Sequence, residues 1–216
     1  MADLKLVPVP TRILTNKDNI VDAIMEYAGH DITNHDIVCV AESVVAITQG
    51  RYIRPEELHI CWQARLMNRF VPGAGSMASI YGMQAAMEEE GKWNMLFSFI
   101  IGAVAKIFGK AGVFYARCRQ ASLIDDVTGT MPPFDKCLVY GPADTDRVCE
   151  EIKNATGAYG AVIADVNDLK RSAVLGKSKG IYPGQIAKIL IDNPFGNDNQ
   201  KTPIVIIKNF TDHINR

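Results

Sequence analysis

Short apolar runs and segments of helical period succeed one another along this chain. Leu4 to Val9 predicts a first strand, with Pro8 and Pro10 closing it, and Asn19 to Ala28 a helix with Ile20, Ile24, Tyr27 and Ala28 on one face, ended by Gly29. The run Ile37-Val38-Cys39-Val40-Ala41 predicts a buried strand, and Glu42 to Arg51 then returns to a helical or mixed period that stops at Gly50. Pro55-Glu56-Glu57 is a helix start, with the helix able to run to Phe70. After the break Val71-Pro72-Gly73-Ala74-Gly75-Ser76, a second helix is expected from Met77 to Glu90, with Met77, Ile80, Tyr81, Gln84 and Met87 toward the core.

The stretch Met95 to Phe108 is almost wholly apolar. Lys92, Lys106 and Lys110 frame it, and it falls short of the ~20 residues a spanning helix needs, so a buried core helix or a dimer-interface helix is expected rather than a membrane segment. Gly112 to Ala116 reads as a strand, as does Cys137 to Tyr140. Asp144 or Thr145 caps a helix that Gly157 stops, and Gly160 to Ala164 is a strand leading into Asp165-Val166-Asn167-Asp168. Ala173 to Leu175, Thr202 to Lys208 (strands) and Pro183 to Ile191 (helix) complete the pattern. Strands and helices alternate without a clean βαβ rhythm, so the expected class is α+β or mixed α/β. The expected organisation is one domain over residues 1–216, with the possibility of two lobes sharing a core.

Composition narrows the function classes. With 23 basic and 24 acidic residues the formal charge is -1, which provides no general field for nucleic acid or anionic lipid, and a small-molecule substrate is expected. The five cysteines contain no CxxC pair and indicate neither a disulfide framework nor a zinc site. Cys39 and Cys137 are expected as small buried hydrophobes. A reducing, cytoplasmic setting fits, since the N-terminus has no signal-peptide pattern.

Two acidic segments carry candidate chemistry, Ile124-Asp125-Asp126 and Ala164-Asp165-Val166-Asn167-Asp168. Were their strands neighbours, the carboxylates would converge, and a hard cation such as Mg²⁺ or Mn²⁺ would neutralise them. An ordinary Asx turn explains the second segment equally well. The loop Gly73-Ala74-Gly75-Ser76 before a helix has the parts of an anion site, though Ser76 as a simple N-cap accounts for the same residues. Walker, dinucleotide, HExxH and GxSxG fingerprints are absent.

The segment Asp36-Ile37-Val38-Cys39-Val40-Ala41-Glu42-Ser43-Val44-Val45-Ala46-Ile47-Thr48-Gln49-Gly50-Arg51 resembles the coenzyme F420-0:gamma-glutamyl ligase family, in which an early buried strand runs into a serine- and lysine-rich segment ending in Glu-Gly-Arg. Ile124-Asp125, Ile163-Ala164-Asp165 and the last strand Ile204 to Lys208 are similar to further segments of that family. The resemblance implies a two-lobed mixed sheet, a homodimer, and a ligase in which GTP (or ATP) activates a carboxylate as an acyl phosphate that the amine of an amino acid such as L-glutamate attacks. It implies Mg²⁺ or Mn²⁺ held by Asp125 and Asp165, with Asp126 and Asp168 beside them, and Ser43, Gln49 and Arg51 around nucleotide or substrate. The family's two Ser-Lys pairs stand here as Glu42-Ser43 and Ala46-Ile47, and its Glu before Gly-Arg as Gln49. The alternative is a degenerate member acting as a binding or regulatory module.

Overall fold

The computed structural model describes residues 4–71, 76–127, 130–167, 169–196 and 200–214. The chain begins with β1 (Lys5–Val9), α1 (Ile20–Ala28), β2 (Ile37–Ala41) and α2 (Glu42–Thr48). There follow β3 (Tyr52–Ile53), α3 (Trp62–Asn68), α4 (Ile80–Glu90), α5 (Lys92–Ile107), α6 (Val113–Arg117) and β4 (Leu138–Val139). The last part supplies α7 (Thr145–Thr156), β5 (Gly160–Asn167), β6 (Arg171–Lys177), α8 (Pro183–Ile189), β7 (Ile204–Lys208) and α9 (Phe210–Ile214). They form two compact units: residues 1–50 with 142–216, and residues 51–141.

The first unit is a five-stranded sheet in the order β1-β7-β2-β5-β6, in which β2 and β5 run parallel and every other pair is antiparallel. The mixed class expected from the pattern is the class observed. The central strand β2 is apolar throughout and β7 is apolar up to Lys208, and both are buried along nearly their whole length, because helices cover both sheet faces. Val38, Val40, Ala161 and Ile163 face Ile24 of α1 and Val148 and Ile152 of α7; Cys39, Val162 and Val205 face Ile186 of α8 and Phe210 of α9. Each fully buried aliphatic side chain contributes ~2 kcal/mol. Asn19 caps α1, accepting from the amides of Val21 at 2.8 Å and Asp22 at 3.3 Å.

The second unit has its own apolar core, with Met67 of α3, Met83 and Met87 of α4, Met95 of α5 and Leu138 of β4. Here β3 pairs antiparallel with β4, and Asp125 adds a bridge on the far side of Val139, giving and receiving bonds of 2.9 and 3.0 Å.

Several expectations are corrected. The helix expected from Pro55 to Phe70 is a 3-10 turn, Pro55–Glu57, followed by irregular chain and the short α3. The segment Gly112 to Ala116, expected as a strand, lies largely in α6: left-handed Gly112 starts a helix that packs on α5. Tyr81 is exposed, and Met83 takes its place in the core beside Gln84 and Met87. Helix α5 is not a buried core helix, since only Met95 and Ser98 along it are buried. Most consequential for function, β5 does not end at Ala164 but continues through Asp165 to Asn167, paired with Ala173, Ser172 and Arg171 of β6.

Candidate functional site

The parallel pair β2 and β5 sets the candidate site in the first unit. Its last register pair is Ala41 with Ala164, so Asp165 follows the pair on β5 just where β2 gives way to Glu42 and Ser43 of α2. The C-terminal ends of parallel strands are where open α/β sheets bind ligands, because the adjoining loops and helix starts converge there. A bulge sharpens the position. Ile163 pairs with Gly176 and Ala164 with Val174, leaving Leu175 as an extra residue on β6 immediately before Asp165.

Asp165 is half-buried, and burial pushes its carboxyl above the ordinary aspartate range. Among the described residues no cation or hydrogen-bond donor is directed at it to oppose that effect. Asp36, in the same unit, makes the contrast. Fully buried, it accepts from Lys208 Nζ at 2.6 Å, from the Thr33 amide at 2.8 Å and hydroxyl at 2.9 Å, and from the Asn209 amide at 2.9 Å. Burial works against its carboxylate, yet these donors outweigh burial and hold its pKa below the usual range. Asp36 is a structural anion with its valences met; Asp165 is one whose charge the described protein does not compensate.

The other expected residues are distributed as follows. Ser43 is half-buried in the first turn of α2. Gln49 is exposed, but its amide clamps the backbone of Ala143, donating from Nε2 at 3.0 Å and accepting at Oε1 at 2.8 Å, which occupies the groups a substrate would use. Arg51, in the second unit, is also engaged: its guanidinium pairs with Glu89, donates from Nε to the Gly141 carbonyl at 2.7 Å, and lies 5.8 Å from the Tyr140 ring centre. Asp126 turns on itself, its Oδ1 accepting from the Val127 amide at 2.9 Å. Asp168, Gly73 and Gly75 lie outside the described residues. Ser76 begins a 3-10 turn, Ser76–Ala78, and the cap of α4 is Ser79, which accepts from the Gly82 amide at 3.4 Å.

Asp125 and Asp165 do not occupy neighbouring strands. Asp125 bridges β4 in the two-stranded sheet of the second unit, whereas Asp165 belongs to the five-stranded sheet of the first. Among the described residues no three His, Cys, Asp or Glu side chains are grouped to hold a metal by themselves. Hard cations that work with phosphates need less, since Mg²⁺ is usually held by one or two carboxylates with phosphate and water completing its shell. Asp165 has the donor chemistry for that arrangement.

One of the two missing lysines, at Ile47, has a packing explanation in the same helix. Ala46 and Ile47 are buried, Ala46 completely, so α2 uses for the core the two positions where the family carries Ser-Lys. No curated protein matches the chain. The family model for F420-0:Gamma-glutamyl ligase matches residues 8–168, which runs from the end of β1 past Asp165. By that match, the chain belongs to the F420-0:gamma-glutamyl ligase family.

Proposed function

We propose that this chain is a divergent nucleotide- and metal-dependent ligase, joining an amino acid such as L-glutamate to a carboxylate or phosphorylated acceptor. The observation that carries this reading is the family match over residues 8–168. Asp165 supports its metal dependence: a half-buried carboxylate, without a protein cation among the described residues, stands at the C-terminal end of a parallel strand pair. In this reading Asp165 holds Mg²⁺ or Mn²⁺, with phosphate and water oxygens completing the metal's shell. The metal supplies charge neutralisation for the phosphates of GTP or ATP.

The chemistry is acyl activation followed by amide formation. The acceptor carboxylate attacks the γ-phosphorus, the bond to the β,γ-bridging oxygen breaks, and nucleoside diphosphate leaves. The amine of the amino acid then attacks the acyl carbon and expels inorganic phosphate, with the amine proton passing to solvent. In this reading Ser43, on the first turn of α2, would bond a phosphate oxygen. The lost lysines leave more of the phosphate charge to the metal, so turnover by this chain depends more steeply on metal. The working assembly is a homodimer, as the family resemblance implies.

A second reading has its own support. Gln49 and Arg51 are both engaged within their units, and one lysine position of α2, Ile47, is spent on the core, which suits a module that binds a phosphorylated metabolite without turnover. Incubation with GTP or ATP, Mn²⁺ or Mg²⁺, glutamate and a panel of carboxylic acids, followed by mass spectrometry, separates the two. A glutamyl adduct is expected from the ligase; nucleotide and metal binding without any adduct would leave the binding module.

A further inference from the structure

The register of β5 and β6 places a cation on the same sheet face as Asp165. Beyond the bulge the ladder is regular, with Asp165 opposite Ala173, Val166 opposite Ser172 and Asn167 opposite Arg171. Side chains alternate across a strand, so Val166 and Val174 turn into the core around Ile186, while Asp165, Asn167, Ala173 and Arg171 share the opposite face. Toward Gly176 that face is closed by Thr145 of α7. Toward the C-terminal end of β5 it is open: Ala173 and Arg171 are exposed, and Ala173 presents only a methyl group directly across from Asp165.

Arg171 is a diagonal neighbour of Asp165, at a separation of roughly 7–8 Å that a long side chain spans. Opposite charges so placed ordinarily pair. Here they do not: among the described residues Arg171 takes part in no ion pair and no side-chain hydrogen bond, whereas Lys170 beside it pairs with Asp192 at 2.5 Å. A carboxylate and a guanidinium set on one open face without bonding each other suit a ligand that carries both signs, a divalent cation bound to phosphate. The cation goes to the carboxylate, and the phosphate oxygens go to the planar fork of the guanidinium. Arg171 falls beyond residues 8–168, so its placement comes from the fold of this chain and not from the family match.

We propose that Arg171 is a phosphate-binding residue of this site, bonding the polyphosphate of the nucleotide whose metal Asp165 holds. The assignment rests on the reading of Asp165 as a metal ligand. Calorimetry measures binding of Mn²⁺ alone, of Mn²⁺ with GTP or with ATP, and of Mn²⁺ with inorganic tripolyphosphate, in the parent, Arg171→Ala, Arg171→Lys and Asp165→Asn. Arg171→Ala should weaken nucleotide and tripolyphosphate alike by about ten-fold or more, the strength of hydrogen bonds to a charged group. Arg171→Lys, which keeps the charge and loses the fork, should fall between. Mn²⁺ alone should bind Arg171→Ala at least as tightly as the parent, because a neighbouring positive charge has gone. An arginine that only guards the exposed edge of the sheet, where β6 lies, would change none of these affinities. Unchanged nucleotide and tripolyphosphate binding in Arg171→Ala, with Mn²⁺ binding lost in Asp165→Asn, would overturn the role of Arg171 and leave Asp165 as the metal ligand. Unchanged Mn²⁺ affinity in Asp165→Asn, or no nucleotide binding by the parent, would remove the reading beneath it and the proposal together.

Discussion

Asp165 and Asp36 are two carboxylates of one unit with opposite electrostatics, and each makes a prediction at the scale of the single residue. Burial raises the proton affinity of Asp165, so above the ordinary aspartate range its charge costs the folded state stability that the unfolded chain does not lose. Asp165→Asn should therefore hold or raise the melting temperature at neutral pH while weakening Mn²⁺ binding by about ten-fold or more, as loss of a metal-binding group does. Calorimetry and metal titration on the same preparation check both halves, and unchanged Mn²⁺ affinity would remove Asp165 from the site. Because the cation competes with a proton, affinity should also decline on acidification at a higher pH than for an ordinary aspartate. Asp36 behaves the other way. Its folded pKa is depressed, so the stability it contributes is present above about pH 4 and is lost as pH falls through the depressed value. Asp36→Asn leaves Lys208 without its carboxylate, with only the Asp31 carbonyl still accepting from Nζ, and should cost about 3 kcal/mol at neutral pH. Urea unfolding across the acid range should show a flatter pH profile for the variant than for the parent.

At the scale of elements, the placement of Asp165 depends on how β5 and β6 are held against α7. Gly176 lies against the first turn of α7, where an added Cβ would come within 2.3 Å of Thr145 Cβ and 2.7 Å of its backbone carbon. The Thr145 hydroxyl also donates to the Leu175 carbonyl at 2.9 Å, and Asp146 accepts from the Lys177 amide at 2.8 Å. Gly176→Ala should therefore destabilise by about 1–3 kcal/mol through overpacking. Gly184, in α8, has open space at the same position, and Gly184→Ala should stabilise by about 0.5–1 kcal/mol. Denaturant midpoints of the pair test the packing, since effects of equal sign would contradict it.

Elements also divide into those the sequence made legible and those it did not. β2 and β7 were readable because buried strands are continuous apolar runs, and α7 because left-handed Gly157 ends a clear helical period. β5 was cut short because Asp-Val-Asn reads as a turn; the ladder to β6 keeps those residues extended, and that pairing is tertiary information. Val113-Phe114-Tyr115 has the composition of a strand, yet α5 offers a helix surface to pack on and no strand to pair with. The apolar character of Met95 to Phe108 was visible too, but composition does not reveal how much of the helix its own unit covers.

For the whole molecule, the sequence disclosed the family and left the site partial. The early strand, its following helix and Asp165 carried the resemblance, and the family match takes in all three. The engagement of Gln49 with Ala143 and of Arg51 with Glu89 was not legible, because both contacts join residues far apart in the chain. The placement of Asp125 in a separate two-stranded sheet was hidden for the same reason. What unites these findings is a scaffold of the ligase family in which α2 packs Ile47 into the core at one of the family's lysine positions, and for which we propose that a bound metal supplies the missing positive charge. The most direct test is phosphate release from GTP that requires Mn²⁺, glutamate and a carboxylic acceptor together, followed in the parent and in Asp165→Asn. The account predicts release by the parent and its loss in a variant that remains fully folded. Equal release by both proteins, or none by the parent across the acceptor panel while it still binds metal and nucleotide, would contradict it.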